Sequence, residues 1–201
     1  MFSVRIHGRG GQGVVTAAEL LSLAAFGGGS FAQAFPSFGS ERMGAPVAAF
    51  CRIDQEPIRL REPIEEPDAV IVADATLVHQ VALFEGLREH GLLLIASART
   101  PQELGIAELG EGGGRVLQCV PARELALRHL GRPIPNVALL GAFTAQTGVI
   151  DLPALEQAID GRFAGAAAEG NRAAAAAAYS WLLEHSAGGA PPLASAGREG
   201  R

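Results

Sequence analysis

The 201-residue sequence contains no lysine, and all sixteen of its basic residues are arginine. This absence excludes chemistry that needs a lysine amine, such as a Schiff-base nucleophile, an anchor for pyridoxal phosphate or a Walker P-loop. The two cysteines, Cys51 and Cys119, are too few for a disulfide framework, a CxxC metal site or a cluster held by four thiolates. The five histidines lack the spacing of metal ligands. We therefore expect no metal on this chain.

Aromatic residues, basic stripes and long apolar runs are also scarce. Aromatics make up 5% of the sequence, so a nucleic acid is not expected as a partner. No apolar run reaches the roughly 18 residues of a membrane span, and an immediate strand-like start argues against a signal peptide. We expect a cytoplasmic protein with no membrane contact. Charge is unevenly spread, because residues 1–61 hold six arginines and only four acids. This third of the chain is suited to meet an anion.

Strand-like and helix-like segments alternate along a sequence that is 48% hydrophobic. This order predicts one Rossmann-like α/β domain over residues 1–185, with a mainly parallel sheet and helices on both faces. The predicted strands are 2–7, 30–34, 47–53, 69–73, 92–96 and 115–120. The predicted helices are 14–26, 77–90, 122–130, 136–147, 152–163 (capped by Asp151) and 167–185. Residues 186–201 are rich in Gly, Ala, Pro and Ser and are expected to form a disordered tail.

A glycine-rich turn follows the first predicted strand. Gly8, Gly10 and Gly13 match G-x-G-x-x-G between a strand and a helix, where glycines and the helix N-terminus can approach a phosphate. A dinucleotide site also expects an acid about 20 residues later, but no acid occurs between Glu19 and Glu41. Three interpretations stay open: a dinucleotide site, a turn that only serves strand–helix packing, and a phosphate site for another ligand.

Three segments together resemble a known family. Residues 5–13 (RIHGRGGQG), 35–47 (FPSFGSERMGAPV) and 135–143 (PNVALLGAF) are similar, in this order, to the gamma subunit of pyruvate:ferredoxin oxidoreductase and related 2-oxoacid:acceptor oxidoreductases. The resemblance covers about residues 2–180. It implies a Rossmann-like domain that does not bind NAD and that helps to bind coenzyme A beside a thiamine site.

The resemblance also implies cofactors, partners and site residues. Coenzyme A is the co-substrate, whereas thiamine diphosphate, magnesium and iron–sulfur clusters would lie on alpha, beta and ferredoxin-like delta subunits. The glycine turn would cradle the coenzyme A phosphates, aided by Arg5, Arg9 and Arg42. The implied binding residues are Gly8, Arg9, Gly10, Gly11, Gln12, Gly13, Ser37, Glu41, Arg42 and Asn136.

Each of the residues outside the turn also has a plain structural interpretation. Glu41 and Arg42 form either a surface ion pair or, through Arg42, a contact with an anion or the catalytic subunit. Ser37 can donate to a ligand or serve turn chemistry. Asn136 is most simply the N-cap of a helix. Asp74 follows a buried strand and is expected to be the N-cap of the helix that comes after that strand.

The sequence thus favours an accessory subunit of a 2-oxoacid oxidoreductase, most simply of the pyruvate type. Met43 departs from the family, in which a second arginine is common at that position. A branched-chain ketoacid or aryl-glyoxylate member stays possible, as does a free-standing nucleotide-binding oxidoreductase or a scaffold whose glycine turn contacts only protein. The sequence leaves open the 2-oxoacid, the electron acceptor and the stoichiometry.

Overall fold

The computed structural model describes residues 1–37, 43–110 and 113–185. Within them the strands are β1 Phe2–Arg9, β2 Phe31–Pro36, β3 Pro46–Asp54, β4 Ala69–Val72, β5 Leu92–Ala96 and β6 Val116–Val120. The α-helices are α1 Val14–Gly27, α2 Ala122–Leu130, α3 Asn136–Thr147, α4 Leu152–Arg162 and α5 Gly165–His185. Two 3-10 helices, Ala75–His79 and Ala107–Gly110, lie between β4 and β6 in the chain. The tail predicted over 186–201 lies outside the described residues.

The strands form one mixed sheet in the order β2-β3-β1-β4-β5-β6. β1, β4, β5 and β6 pair in parallel, whereas β3 runs antiparallel to both of its neighbours. Ile6 on β1, for example, lies opposite Ala49 on β3 and Ile71 on β4. The prediction of an α/β fold with a mainly parallel sheet is confirmed. The carboxyl ends of the four parallel strands therefore meet at one edge of the sheet.

The five α-helices described pack on one face of this sheet. Alternate strand residues such as Val4, Ile71 and Leu94 point to this face and are fully buried against helical residues, among them Leu21 and Phe143. Alternation arises because successive side chains of a strand point to opposite faces. Burial of this apolar area is the main stabilising contribution to the domain.

Helices α3 and α5 approach each other unusually closely in this layer. A Cβ on Gly141 would overlap the carbonyl group of Ala175, so no other residue fits position 141 without moving a helix. Small side chains on α5 permit this approach, since Ala174, Ala175 and Ala178 are all buried there. The alanine run of α5 is thus a packing surface.

The opposite face is covered by 3-10 helices and turns, so helices flank both faces but those on this face are short. Val70 and Ile95 of the sheet pack here against Leu77, Leu83 and Ile106. The α-helix predicted over 77–90 is wrong: a 3-10 helix, Ala75–His79, is followed by turns.

The reason is a set of contacts from β1 that sequence periodicity does not show. The Arg5 guanidinium donates to the carbonyl oxygens of Leu83 at 2.9 Å and Glu85 at 2.6 Å, which an α-helix would use for its own ladder. Gly86 follows at φ 74°, in the left-handed region. Arg52 on β3 anchors another loop in the same way, donating to the Glu62 carbonyl oxygen at 2.6 Å. Hydrogen bonds from the half-buried Arg5 and the buried Arg52 thus hold non-helical loops against this face.

Candidate functional site

The chain leaves β1 and β4 toward opposite faces of the sheet. β1 leads into α1 on the helical face, whereas β4 leads into the 3-10 helix Ala75–His79 on the other face. Neighbouring parallel strands whose connections diverge in this way create a crevice at their carboxyl ends, where open α/β sheets bind ligands. The glycine turn and Asp74 lie at this position.

Two of the glycines in the turn adopt backbone conformations that favour glycine. Gly11 has φ 92° and Gly13 has φ 72°. A Cβ on Gly13 would also overlap the Asn136 side chain, and a Cβ on Gly8 would lie 2.5 Å from Cγ2 of Val14. Close strand–helix packing is therefore one role of this turn, as one of the three interpretations of the sequence expected.

The N-terminus of α1 is open. Gly13 is its N-cap residue, and no side chain caps the helix with a hydrogen bond. The first N–H groups of an α-helix have no partner within the helix, and the helix dipole adds a partial positive charge there. This end of α1 is chemically suited to an anion.

A pocket of about 240 Å³ opens beside this helix end. Gly11, Gly13 and Thr16 line one side, and Arg132 and Asn136 line another. Arg132 is exposed, and the described residues offer its guanidinium no hydrogen bond or ion pair. The pocket thus combines free helix N–H groups with an unpaired cation, a combination that favours phosphate or carboxylate.

Asn136 is not the N-cap that the sequence favoured. Helix α3 begins at Asn136 itself, with Pro135 in the capping position. The Asn136 side chain is 6% exposed, and its Nδ2 donates to the carbonyl oxygen of Gly13 at 3.1 Å. Its amide instead joins α3 to the glycine turn.

Gln12 connects the turn to the end of β4. Its Oε1 accepts the N–H of Arg9 at 2.8 Å, and its Nε2 donates to Oδ2 of Asp74 at 2.8 Å. The other carboxylate oxygen, Oδ1, accepts from the backbone N–H and the hydroxyl of Thr76 at 3.0 and 2.6 Å. Asp74 therefore caps the 3-10 helix, as the sequence predicted for the element that follows it.

Asp74 is ionised, and both of its carboxylate oxygens accept hydrogen bonds. Burial alone would raise the pKa of its carboxyl, but hydrogen bonds from Thr76 and Gln12 and the charge of Arg9 outweigh burial and lower the pKa. A carboxylate with a lowered pKa and this many donors is a poor general base near neutral pH. The crevice therefore lacks an acid–base group at this position.

The remaining predicted site residues divide into four groups. Arg9 lies in the crevice, whereas Arg5 points to the sheet face opposite the α-helices and is held by loop carbonyls. Ser37 is exposed, and its N–H donates to the Ala48 carbonyl oxygen at 2.9 Å, extending the β2–β3 pairing. Glu41 and Arg42 lie outside the described residues.

Backbone hydrogen bonds to residues 44 and 45 hold Gly10 in place. Its N–H donates to the carbonyl oxygen of Ala45 at 2.9 Å, and its own carbonyl oxygen accepts from the N–H of Gly44 at 3.1 Å. The Gly10 N–H is thereby committed to protein, so a ligand at the turn would use the N–H groups that follow it.

Sheet order bears directly on a dinucleotide site. The strand after α1 is β2, which lies at the sheet edge and is separated from β1 by β3. At about 5 Å per strand, its end lies about 10 Å away from β1 in the plane of the sheet. The absence of an acid between Glu19 and Glu41 and this distance together remove the ribose contact on which the fingerprint depends.

Arg132, Thr76 and Gln80 are not among the residues that the sequence predicts for the site. Arg132 follows a short helix and carries no motif, Thr76 lies between the predicted cap Asp74 and the predicted helix 77–90, and Gln80 lies within that helix. The described residues contain no group of three His, Cys, Asp or Glu side chains able to hold a metal ion. Among the described helices, none has the length and hydropathy needed to cross a bilayer.

The two cysteines do not fit an iron–sulfur cluster. Burial raises the pKa of the Cys51 thiol to about 12 and, with a small opposing contribution from Arg99, that of Cys119 to about 11. They lie on β3 and β6, at separate places in the sheet. A cluster needs thiolates that converge on one point.

Comparisons with known proteins agree over nearly the whole chain. The model of a family described as pyruvate ferredoxin/flavodoxin oxidoreductase matches residues 3–181. The pyruvate/ketoisovalerate oxidoreductases common subunit gamma of Pyrococcus furiosus is 45% identical over 179 residues, covering 89% of this chain and 96% of the relative. The pyruvate synthase subunit PorC of Methanocaldococcus jannaschii is 45% identical over 184 residues, covering 92% and 98%.

A solved structure gives the same result for the fold. The PORC subunit of pyruvate oxidoreductase from Thermotoga maritima superposes with a TM-score of 0.77 at 36% identity, covering 89% of this chain and 95% of that one. The fold is therefore similar over most of both chains.

Proposed function

Because this chain belongs to the pyruvate ferredoxin/flavodoxin oxidoreductase family, as a gamma subunit of an oxidoreductase complex of the pyruvate/ketoisovalerate type, we propose that it binds coenzyme A for that complex. The binding site is the glycine turn with the pocket beside it. The chain performs no bond-making step itself, since the crevice offers no free acid, base or nucleophile among the described residues.

The observation that carries the proposal is the open N-terminus of α1 beside Arg132. Coenzyme A carries a diphosphate and a 3′-phosphate, and in a chain without lysine the permanent positive charge that meets them comes from arginine, beside neutral donors such as backbone N–H groups. Gly11 and Gly13 bring the backbone close to the pocket, and Arg132 adds a guanidinium that no described residue pairs with. Gly8, Gly10, Gln12 and Asn136 shape this turn and hold it in place.

Glu41, Arg42 and Ser37 complete the proposed site on the strength of the family resemblance. The segment that carries them, residues 35–47, is one of the three that identify the family in the sequence. Arg42 supplies either a second anion contact or a contact with the catalytic subunit.

In the complex the overall reaction is oxidative decarboxylation of a 2-oxoacid with coenzyme A, which gives an acyl-CoA, CO2 and two reduced electron carriers. Pyruvate is the substrate we favour, with a branched-chain 2-oxoacid as the alternative. The alpha, beta and ferredoxin-like delta subunits would hold thiamine diphosphate, magnesium and iron–sulfur clusters, which fits the unsuitable positions of Cys51 and Cys119.

Steady-state kinetics of the assembled complex test the coenzyme A site. R132Q removes the guanidinium that lines the pocket, whereas R128Q removes an exposed arginine of α2 that does not line it. We expect R132Q to raise the KM for coenzyme A about tenfold, equivalent to about 1.4 kcal/mol, with R128Q unchanged. The KM for the 2-oxoacid and the decarboxylation half-reaction should stay near native.

Ionic strength provides a second readout. Salt screens phosphate contacts, so the KM for coenzyme A of the native complex should rise with salt, and R132Q should flatten this dependence. R42A is expected to behave like R132Q if Arg42 contacts the anion. An unchanged KM for coenzyme A in R132Q, R42A and G10D together would rule out the proposed site. It would leave a scaffold subunit whose glycine turn contacts only protein.

A further inference from the structure

We infer that Asp74 and Arg9 are positioning residues that hold the glycine turn and residues 43–45 against the end of β4, while other groups bind the anion. The inference rests on the proposed coenzyme A function and assigns Arg9 a different role from direct phosphate binding. Its basis is the hydrogen bonding of the Arg9 side chain.

The Arg9 guanidinium is almost fully engaged within the protein. Nη1 donates to the carbonyl oxygen of Gly44 at 3.1 Å, and Nη2 donates to Oγ1 of Thr76 and Oε1 of Gln80, both at 2.8 Å. Nε lies 3.3 Å from Oδ2 of Asp74. A guanidinium has five N–H groups, so these four contacts leave little capacity for a ligand.

These contacts join segments that are far apart in sequence. Arg9 ends β1, Gly44 precedes β3, and Thr76 and Gln80 belong to the region after β4. The segment at Gly44 is also bonded to Gly10 in both directions, through the N–H of Gly44 and the carbonyl oxygen of Ala45. A shift of the Arg9 side chain would therefore move the turn and residues 43–45 together.

Asp74 determines the direction of the hydrogen bonds that Gln12 and Arg9 make around the glycine turn. Its Oδ2 accepts from Nε2 of Gln12, which fixes the Gln12 amide so that Oε1 faces the N–H of Arg9. The same oxygen of Asp74 faces the Arg9 guanidinium. Asp74 is only 8% exposed, so its charge acts on these partners with little screening by solvent. The orientation of the turn thus depends on one buried carboxylate.

D74N tests this dependence because it keeps the size of the side chain but replaces an acceptor with a donor. The new amide N–H would face the Nε2 group of Gln12 and the Nε group of Arg9, so the bond between positions 12 and 74 would be lost. Combining D74N with Q12E restores that bond with reversed polarity. A carboxylate at position 12 can accept both from the new amide at position 74 and from the backbone N–H of Arg9. A reversal of this kind measures coupling between the two positions.

Asp68 provides the matched control. It stands at the opposite end of β4, where its carboxylate accepts from the N–H of Ser3 at 2.7 Å and pairs with Arg88 at 3.0 Å. D68N therefore removes a comparable aspartate from the same strand region without touching the crevice. Both single variants should lower the melting temperature, but only D74N should affect coenzyme A.

The assembled complex carrying each variant gamma chain is assayed for both substrates. We expect D74N to raise the KM for coenzyme A about fivefold to tenfold with kcat within about twofold, and the double variant D74N/Q12E to return within about twofold of native. D68N should keep the native KM. Should D74N not assemble, Q12M breaks the same connection without a change in charge, and the same rise in KM is expected.

R9K separates positioning from charge. Lysine keeps the positive charge but cannot reach four acceptors at once, so a positioning role predicts a rise in KM for coenzyme A similar to that of D74N. A native KM in R9K, or in D74N, would overturn the inference. If R132Q raises the KM while D74N and R9K do not, the positioning role fails and the proposed function stands. If none of the three changes it, and R42A and G10D leave it native as well, the proposed function fails.

Discussion

Asn136 donates its side-chain amide to the backbone carbonyl of Gly13 at 3.1 Å, across 123 residues of sequence. The same side chain occupies the space that a Cβ on Gly13 would need. Two of the segments that identify the family in the sequence, 5–13 and 135–143, therefore meet at one contact. The contact gives their joint presence a physical reason, because the Asn136 side chain lies in space that only a glycine at position 13 leaves open.

Replacing Asn136 with aspartate should weaken both the fold and the proposed site. N136D removes the N–H donor and places a buried carboxylate against the Gly13 carbonyl oxygen, so we expect a loss of about 1–3 kcal/mol in the free energy of unfolding. We also expect a higher KM for coenzyme A in the complex. Urea denaturation of the chain and kinetics of the complex measure the two effects.

T147V is the control for that experiment. Thr147 is fully buried near the other end of α3, and its hydroxyl donates to the Phe143 carbonyl oxygen at 2.8 Å. T147V should reduce stability without changing the KM for coenzyme A. Equal effects of N136D and T147V on the KM would show that Asn136 acts only through global stability.

Two glycine-to-alanine substitutions should have opposite effects, one at the close approach of α3 and α5 and one at an open position of α4. G141A forces a methyl group into the Ala175 carbonyl, and we expect it to destabilise the chain by about 2–3 kcal/mol. Gly161 in α4 has nothing within 4 Å of its ideal Cβ, so G161A should stabilise the chain by about 0.5–1 kcal/mol through helix propensity. Urea denaturation measures both; a neutral G141A would contradict the packing described here.

Stability should fall in mild acid because of His7. Burial, assisted by the charge of Arg5, lowers the pKa of His7 to about 4. Between about pH 6.5 and pH 4 the unfolded chain therefore binds a proton that the folded chain does not, so the free energy of unfolding falls as the pH falls. The maximum contribution is about 3 kcal/mol, at about 1.4 kcal/mol for each unit of pKa.

Asp74 acts in a lower pH range. Its pKa is lowered, so its stabilising contribution is present above its ordinary pKa and is lost as the pH falls through the folded value.

The contribution of His7 is isolated by comparing denaturation curves of the native chain and of H7Q between pH 7 and pH 4. H7Q should show a flatter pH dependence in this window, and the same slope in both proteins would exclude His7 as the source.

Neither cysteine should react readily with an alkylating reagent in the folded chain. Cys51 is fully buried and Cys119 partly so, and raised pKa values of about 12 and about 11 leave almost no thiolate at about pH 8. Mass spectrometry after treatment with iodoacetamide should show little labelling in buffer and two labels in urea. At intermediate urea, Cys119 should be labelled first; early labelling of Cys51 would indicate that β3 opens locally.

Local sequence determined several elements of this protein. The apolar runs of β4 and β5, the strand–turn–helix around Gly8–Gly13 and the caps at Asp74 and Asp151 all follow from patterns within a few residues. Short-range hydrogen bonds and side-chain alternation produce these features, so a single sequence contains them. The three family segments also lie in the sequence itself, and they led to the family that the comparisons show.

Only the tertiary structure decided where these elements stand. β3 lies between β2 and β1 and so removes the dinucleotide ribose contact. Arg5 binds carbonyl oxygens that a helix over 77–90 would need, and Arg132, in the loop after α2, lines the pocket beside the glycine turn. Each of these depends on groups far apart in the sequence, whose pairing is set by sheet register and by the hydrogen-bond requirements of buried charges. Residue periodicity carries no information on such distances, so the pocket beside the glycine turn is a property of the folded chain alone.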